Sequence, residues 1–317
     1  MINGVHHAGL SVRDLEGAIA FYCDAAGLSE VRRFKLEDDE EFSAVADIGQ
    51  HTAEVALLEG SNAFLAVARF DDPDPGTHAQ RPVSDAGITH ICSQAQEIES
   101  LEARYRKAGA FFREKPIALG TGTIYAYVQD PESNTIELEA THYAPATRRP
   151  WLNHVALSTH DIDRLSTFYA DLVGREVSRT AEFGNNPLLD KVTGLEHTQV
   201  KAAWIKGENQ TLEILQYLSP ATVARTAERP IYELGWAYCC FEVVDIEGEY
   251  KRIKALGAHF ITPPRTFNGT KLCFARDPDG NLFALLELPA AKHELSLSAV
   301  EDPDLVLRSN TDKEAAA

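Results

Sequence analysis

The stretch HHAGLSVRDLEGAIAFYCDAAGL at residues 6–28 returns as NHVALSTHDIDRLSTFYADLVGR at residues 153–175. The offset is 147 throughout, carrying His7 onto His154, Asp14 onto Asp161, Phe21-Tyr22 onto Phe168-Tyr169 and Gly27 onto Gly174. Self-similarity at a fixed spacing marks a duplicated architecture. The same offset carries Gly60-x-Asn62 onto Gly207-x-Asn209, and Asp130-Pro131 with Asn134 onto Asp277-Pro278 with Asn281. The repeat therefore spans nearly the whole of each half. Between the halves, HYAPATRRPWLN is rich in proline and small residues and reads as a linker around residues 143–150.

A shorter pattern recurs within each half. In VHHAGLSV (residues 5–12), alternation places Val5, His7, Gly9 and Ser11 on one strand face, and His6, Ala8, Leu10 and Val12 on the other, against a helix. Residues 14–26 follow as that helix, with Asp14 as N-cap and Gly27 as its stop. Residues 53–70 read as two strands joined at Gly-Ser-Asn, an arrangement repeated by GENQTLEILQY. GITHICS begins another strand, EIESLEARYRKAGA is helical, and IYAYVQDPESNTIELEA forms two strands around a tight turn. Each half is thus two βαβββ modules, which makes the chain α+β. The expected domains are residues 1–146 and 150–290. A polar tail, 291–317, follows and is expected to be loosely ordered, although LSLSAV and LVLRS are apolar enough to pack.

Composition narrows the function. The 317 residues are 44% hydrophobic and 25% charged, as in an ordinary globular protein, with a formal charge of -18 that disfavours nucleic acid and anionic membranes. No apolar run approaches the roughly 18 residues of a membrane-spanning helix, and the first residues lack a charged start followed by an apolar stretch. A cytoplasmic location is expected. Cys23, Cys92, Cys239, Cys240 and Cys273 are odd in number and lack C-x-x-C spacing, so neither a disulfide framework nor a thiolate zinc site is indicated. The sequence has no G-x-S-x-G elbow, phosphate-binding loop or dinucleotide fingerprint.

The tandem βαβββ modules, the H-x-x-L-x-V-x-D-L start and the D-P-x-x-N-x-I-E-L strand pair resemble the vicinal oxygen chelate superfamily. That superfamily includes glyoxalase I, methylmalonyl-CoA epimerase, fosfomycin and bleomycin resistance proteins and type I extradiol dioxygenases. The resemblance covers about residues 3–290 and implies two paired-module half-barrel domains. It also implies one divalent metal on a concave face, held by residues of the first and last strands of the modules. In the first half those positions are His7, His90 and Glu137. Two neutral imidazoles and one carboxylate form a facial triad suited to Fe(II), and Mn(II), Co(II), Ni(II) or Zn(II) also accept such ligands.

In the second half His154 matches His7, but Tyr238 stands for His90 and Ala284 for Glu137, so this half reads as a degenerate copy. Glu213 falls where the glyoxalase and epimerase branch carries a fourth ligand; the first half has Ala66 there. Three protein ligands favour a ring-cleaving, extradiol-type dioxygenase acting on a vicinal-oxygen aromatic or enolic substrate. The resemblance implies a substrate-orienting role for Tyr127 in YVQDPESNTIE, and Glu139 shares the face of Glu137 as a candidate base. Two features depart from the dioxygenase pattern. Residues 113–126 lack the histidine that signature carries before its tyrosine, leaving His51, His78 or a residue of the second half as substitutes, and Ser133 stands where it has glycine. The alternatives are a metal-dependent lyase, isomerase or epimerase, and a drug-binding resistance protein. All three take a small-molecule partner, and paired-module folds often form homodimers.

Overall fold

The computed structural model describes residues 1–36, 40–49, 51–71, 81–267, 269–289 and 293–300. Each module opens with a long strand, then a helix, then a meander. The four opening strands are Ile2–Ser11, Gly87–Ala95, Trp151–Ser158 and Gly235–Val243. The helices that follow are Leu15–Ala25, Ile98–Lys107, Ile162–Val173 and Ile246–Ala255. Asp14 and Asp161 cap theirs through their side chains, as their repeated position predicts. The modules close with the strands Phe64–Phe70, Thr135–Ala140, Thr211–Ser219 and Leu282–Glu287.

Two nine-stranded sheets result, and neither coincides with a half of the sequence. Strand Ile2–Ser11 pairs antiparallel with Gly235–Val243, so the first and fourth modules share one sheet. Strand Gly87–Ala95 pairs with Trp151–Ser158, so the second and third modules share the other. Residues 1–146 and 150–290 are consecutive repeats, yet each half-barrel is assembled from one module of each. The reason is local equivalence: all four opening strands offer the same antiparallel edge, and the chain closes its sheets with the partners its connections allow.

Other contacts run the opposite way. The Tyr22 hydroxyl donates to Asp130 at 3.0 Å, tying the helix of the first module to a turn of the second. Tyr169 does the same with Asp277 at 2.9 Å, between the third and fourth. Asp130 also accepts from the Glu132 and Asn134 amides and from Asn134 Nδ2, which explains the repeated D-P-x-x-N turn. Strands thus join modules across the halves, and these tyrosine–aspartate pairs join modules within them. One apolar core, including Leu10, Leu65, Leu101, Ile136, Leu157, Ile214 and Phe283, draws on all four modules.

Beyond the meanders, Leu295, Leu297 and Val300 pack against Leu57, Phe64 and Ala66, so LSLSAV does pack. LVLRS and His78 lie outside the described residues. Among those described, no helix is long and apolar enough to cross a membrane.

Candidate metal centre

Four adjacent strands of the second sheet each aim one ligand-type side chain at a common point. Glu213 comes from Thr211–Ser219, His154 from Trp151–Ser158, His90 from Gly87–Ala95 and Glu137 from Thr135–Ala140. Their ligand atoms lie within 4.8 Å of one another, and all four residues are buried. Strand register produces this convergence: Ala156 faces Glu213 on one side and His90 on the other, and Cys92 faces Glu137. A register irregularity between Leu152 and Val155 sets His154 into the site with Asn153 beside it.

His154 Nε2 donates to Glu137 Oε2 at 2.8 Å and lies 3.5 Å from Glu213 Oε2. His90 Nε2 is 3.4 Å from Glu137 Oε2, 3.6 Å from Glu213 Oε2 and 3.4 Å from His154 Nε2. Burial opposes the charged form of His154, but the Glu213 carboxylate and the hydrogen bond to Glu137 overcome it, raising its pKa to about 9. For His90, burial is likewise outweighed by Glu137 and Glu213, and its pKa rises. Burial disfavours the charged form of Glu137, yet its hydrogen bonds to His154 and His90 hold it down at about 2. Without a metal, His154 and Glu137 form a buried ion pair.

The donor set fits a divalent cation. Two imidazole nitrogens and two carboxylate oxygens converge, and deprotonating the histidines would leave two negative charges for the ion to balance. The surroundings orient the donors: Trp204 Nε1 donates to Glu213 Oε1 at 2.8 Å, and Thr89 Oγ1 lies 3.0 Å from His90 Nδ1.

The residues expected from sequence divide. His90 and Glu137 are in the cluster. His7 is not: it lies in the other sheet, because the opening strand of the first module pairs with the fourth module. His154 and Glu213, assigned to a degenerate half, complete the site instead. Tyr127 stands beside it, its ring 4.9 Å from that of His90, with burial pushing its phenol well above the usual range. Glu139 lies behind His154, its Oε2 accepting from Gln94 Nε2 at 2.6 Å and Asn153 Nδ2 at 2.8 Å. Burial, then the neighbouring Glu137, raise its pKa. His6, expected against the helix, stacks on Phe64 of the strand Phe64–Phe70, with ring centroids 4.7 Å apart. An irregularity between Val5 and His7 brings its Nδ1 to 2.7 Å from His7 Nδ1.

The family model for the glyoxalase, bleomycin resistance protein and dioxygenase superfamily matches residues 4–138 and 151–285. The chain belongs to that superfamily. Among superfamily members, a lactoylglutathione lyase of Arabidopsis thaliana is 27% identical over 177 residues, covering 56% of each protein. The chain thus aligns with little more than half of that relative's length. A lactoylglutathione lyase of Oryza sativa subsp. japonica is 23% identical over 285 residues, covering 86% of each. The crystal structure of glyoxalase I from Zea mays superposes with a TM-score of 0.61 at 20% identity, covering 90% of this chain and 92% of that one. That superposition establishes a shared fold.

Proposed function

We propose that the protein is a metal-dependent lyase of the lactoylglutathione lyase kind, working at the His90, Glu137, His154 and Glu213 cluster. The observation that carries this reading is the fourth donor. The dioxygenase reading rested on three ligands, with Ala66 in the fourth place; Glu213 from the third module removes that basis. Two carboxylates with two imidazoles do not select iron, and Zn(II), Ni(II), Co(II) and Mn(II) accept the same donors. The lyase names of the sequence relatives point the same way.

A lactoyl thioester and the hemithioacetal of 2-oxopropanal are isomers: one proton moves from the sulfur-bearing carbon to its neighbour, and the hydroxyl proton passes from the oxygen on the first carbon to the oxygen on the second. A bound divalent ion supplies Lewis-acid stabilisation of the negative charge that develops on oxygen during such a transfer. Glu137 takes the proton from the sulfur-bearing carbon and returns it to its neighbour. Its Oε2 meets only the exchangeable His154 and His90 contacts, whereas Glu213 is clamped by the Trp204 indole. Glu139, held by Gln94 and Asn153, is a positioning residue for His154. Tyr127 opens onto a cavity of about 190 Å³ whose wall includes Arg113, a cation that suits a carboxylate-bearing thiol such as glutathione, while Arg81 on the same wall is paired with Glu233.

The test mixes glutathione and 2-oxopropanal with the metal-loaded full chain and follows thioester absorbance. Turnover is expected in the native protein. Glu137→Gln, assayed at saturating metal because the change also removes a donor, should lose about 10²–10⁴-fold in kcat, the usual weight of a general base. A metal-loaded native protein that forms no thioester but consumes O2 with a catechol would overturn the reading.

A further inference from the structure

The other half-barrel repeats the metal centre's register position by position. Gly9 faces Ala66 and Tyr238 as Ala156 faces Glu213 and His90, and Cys240 faces Ala284 as Cys92 faces Glu137. Three of four donors are thereby replaced, and only His7 keeps its type. In their place is a cavity of about 500 Å³, within the range of small-molecule pockets. Phe34, Phe42, Phe70, Phe267 and Phe274 line it, with His7 and Tyr238 on its wall.

This cavity has been rebuilt around a new polar group. Tyr238 lies across the neighbouring backbone so closely that a Cβ on Gly9 would come within 2.0 Å of its ring. Its hydroxyl ends a chain of hydrogen bonds whose direction is fixed from the far end. His6 Nε2 is 2.7 Å from the Leu295 carbonyl and so carries a proton, leaving its Nδ1 to accept from His7 Nδ1 at 2.7 Å. His7 Nε2 is then an acceptor and takes the Tyr238 hydroxyl proton at 3.0 Å. The Tyr238 oxygen is left with its lone pairs. Burial, then the neighbouring His6, hold the His7 pKa well below its usual value, so the relay is neutral. Arg32 and Lys35, the cationic side chains on the wall, belong to an exposed strand. An ionic group inside would lose hydration without a buried counter-charge.

We infer that this half-barrel is a metal-independent binding site for an uncharged aromatic molecule bearing a hydroxyl or N–H that donates to the Tyr238 oxygen. Ring-lined walls favour stacked and edge-on aromatic contacts, and the Tyr238 oxygen, held by the relay behind it, orients the ligand. This site is separate from the metal centre, and the inference does not depend on the lyase reading.

The probe is 1-naphthol, titrated into the metal-loaded full chain and followed by its fluorescence and by calorimetry. One saturable site per chain is expected, retained in His154→Ala. Ala66→Phe, which fills the cavity floor, should weaken binding at least about tenfold, a loss of roughly 1.4 kcal/mol. Ala68→Leu is the second cavity-filling variant should the first not fold. Tyr238→Phe should weaken 1-naphthol by about three- to tenfold, the worth of one hydrogen bond, and leave naphthalene unchanged. The inference is overturned by absence of saturable binding, by binding indifferent to both cavity-filling variants, or by loss of the site in His154→Ala.

Discussion

Asn62 and Asn209 each donate from Nδ2 to the other's main-chain carbonyl at 2.8 Å. They are 147 positions apart and sit in the repeated Gly-x-Asn turns, one in each sheet. Each also grips an opening strand: Asn62 bonds the amide and carbonyl of Leu152, and Asn209 those of Val5. The pair staples the two half-barrels together with fully used amides, that of Asn62 buried and that of Asn209 half-buried. Asn62→Ala or Asn209→Ala strands main-chain groups without partners, and each should cost about 1–3 kcal/mol of unfolding free energy. Denaturant unfolding of the two single variants checks this, and equal losses from both are expected on the symmetry of the contacts.

Metal analysis distinguishes the two half-barrels. His154→Ala and Glu213→Gln should lower bound divalent metal well below the native stoichiometry, while His7→Ala leaves it unchanged. Metal loss in His7→Ala with retention in His154→Ala would return the site to the residues of the first half alone.

The metal-free protein should have a definite pH window. His154 rises from 6.5 to about 9 on folding, so its contribution is complete below pH 6.5 and disappears as pH climbs through 9. Glu137 falls from 4.5 to about 2, so its contribution is complete above pH 4.5 and is lost as pH drops through 2. Tm of the metal-free chain should therefore be greatest between pH 4.5 and 6.5 and decline toward 9. Metal must displace the His154 proton, so affinity should rise across the same upper range with proton release. Flat affinity between neutral pH and 9 would contradict the assigned ligand.

Gly9 and Tyr238 should be coupled. Gly9→Ala drives a methyl into the tyrosine ring and should destabilise by about 1–3 kcal/mol, whereas in a Tyr238→Ala background the same change should cost much less. A double-mutant cycle by thermal unfolding measures the difference.

Much of this was written in local pattern. The 147-residue offset exposed the modules, the Asp14 and Asp161 caps marked helix starts, and His90 and Glu137 fell on strands at ligand positions. His154 and Glu213 were visible as ligand types too. What the pattern did not carry was partnership. Opening strands of every module present the same edge, so pairing first with second or first with fourth satisfies the same local preferences. That single choice decides whether His7 or His154 meets His90. The face of His6 escaped alternation for another reason, since a register irregularity beside it breaks the period of two on which such a reading depends.

The unit that repeats in the sequence is therefore not the unit that closes a sheet. Residues 1–146 alone would present two unpaired opening-strand edges, at Ile2–Ser11 and Gly87–Ala95. Those are the edges that a second such half supplies with partners. The chain thus behaves as an exchanged dimer made permanent by ten residues of linker, 141–150, between the second and third modules. Covalent fusion frees the two interfaces from having to stay identical. One could keep four donors while the other exchanged three of its own for a tyrosine and two alanines, a divergence that a symmetric dimer of identical chains cannot make.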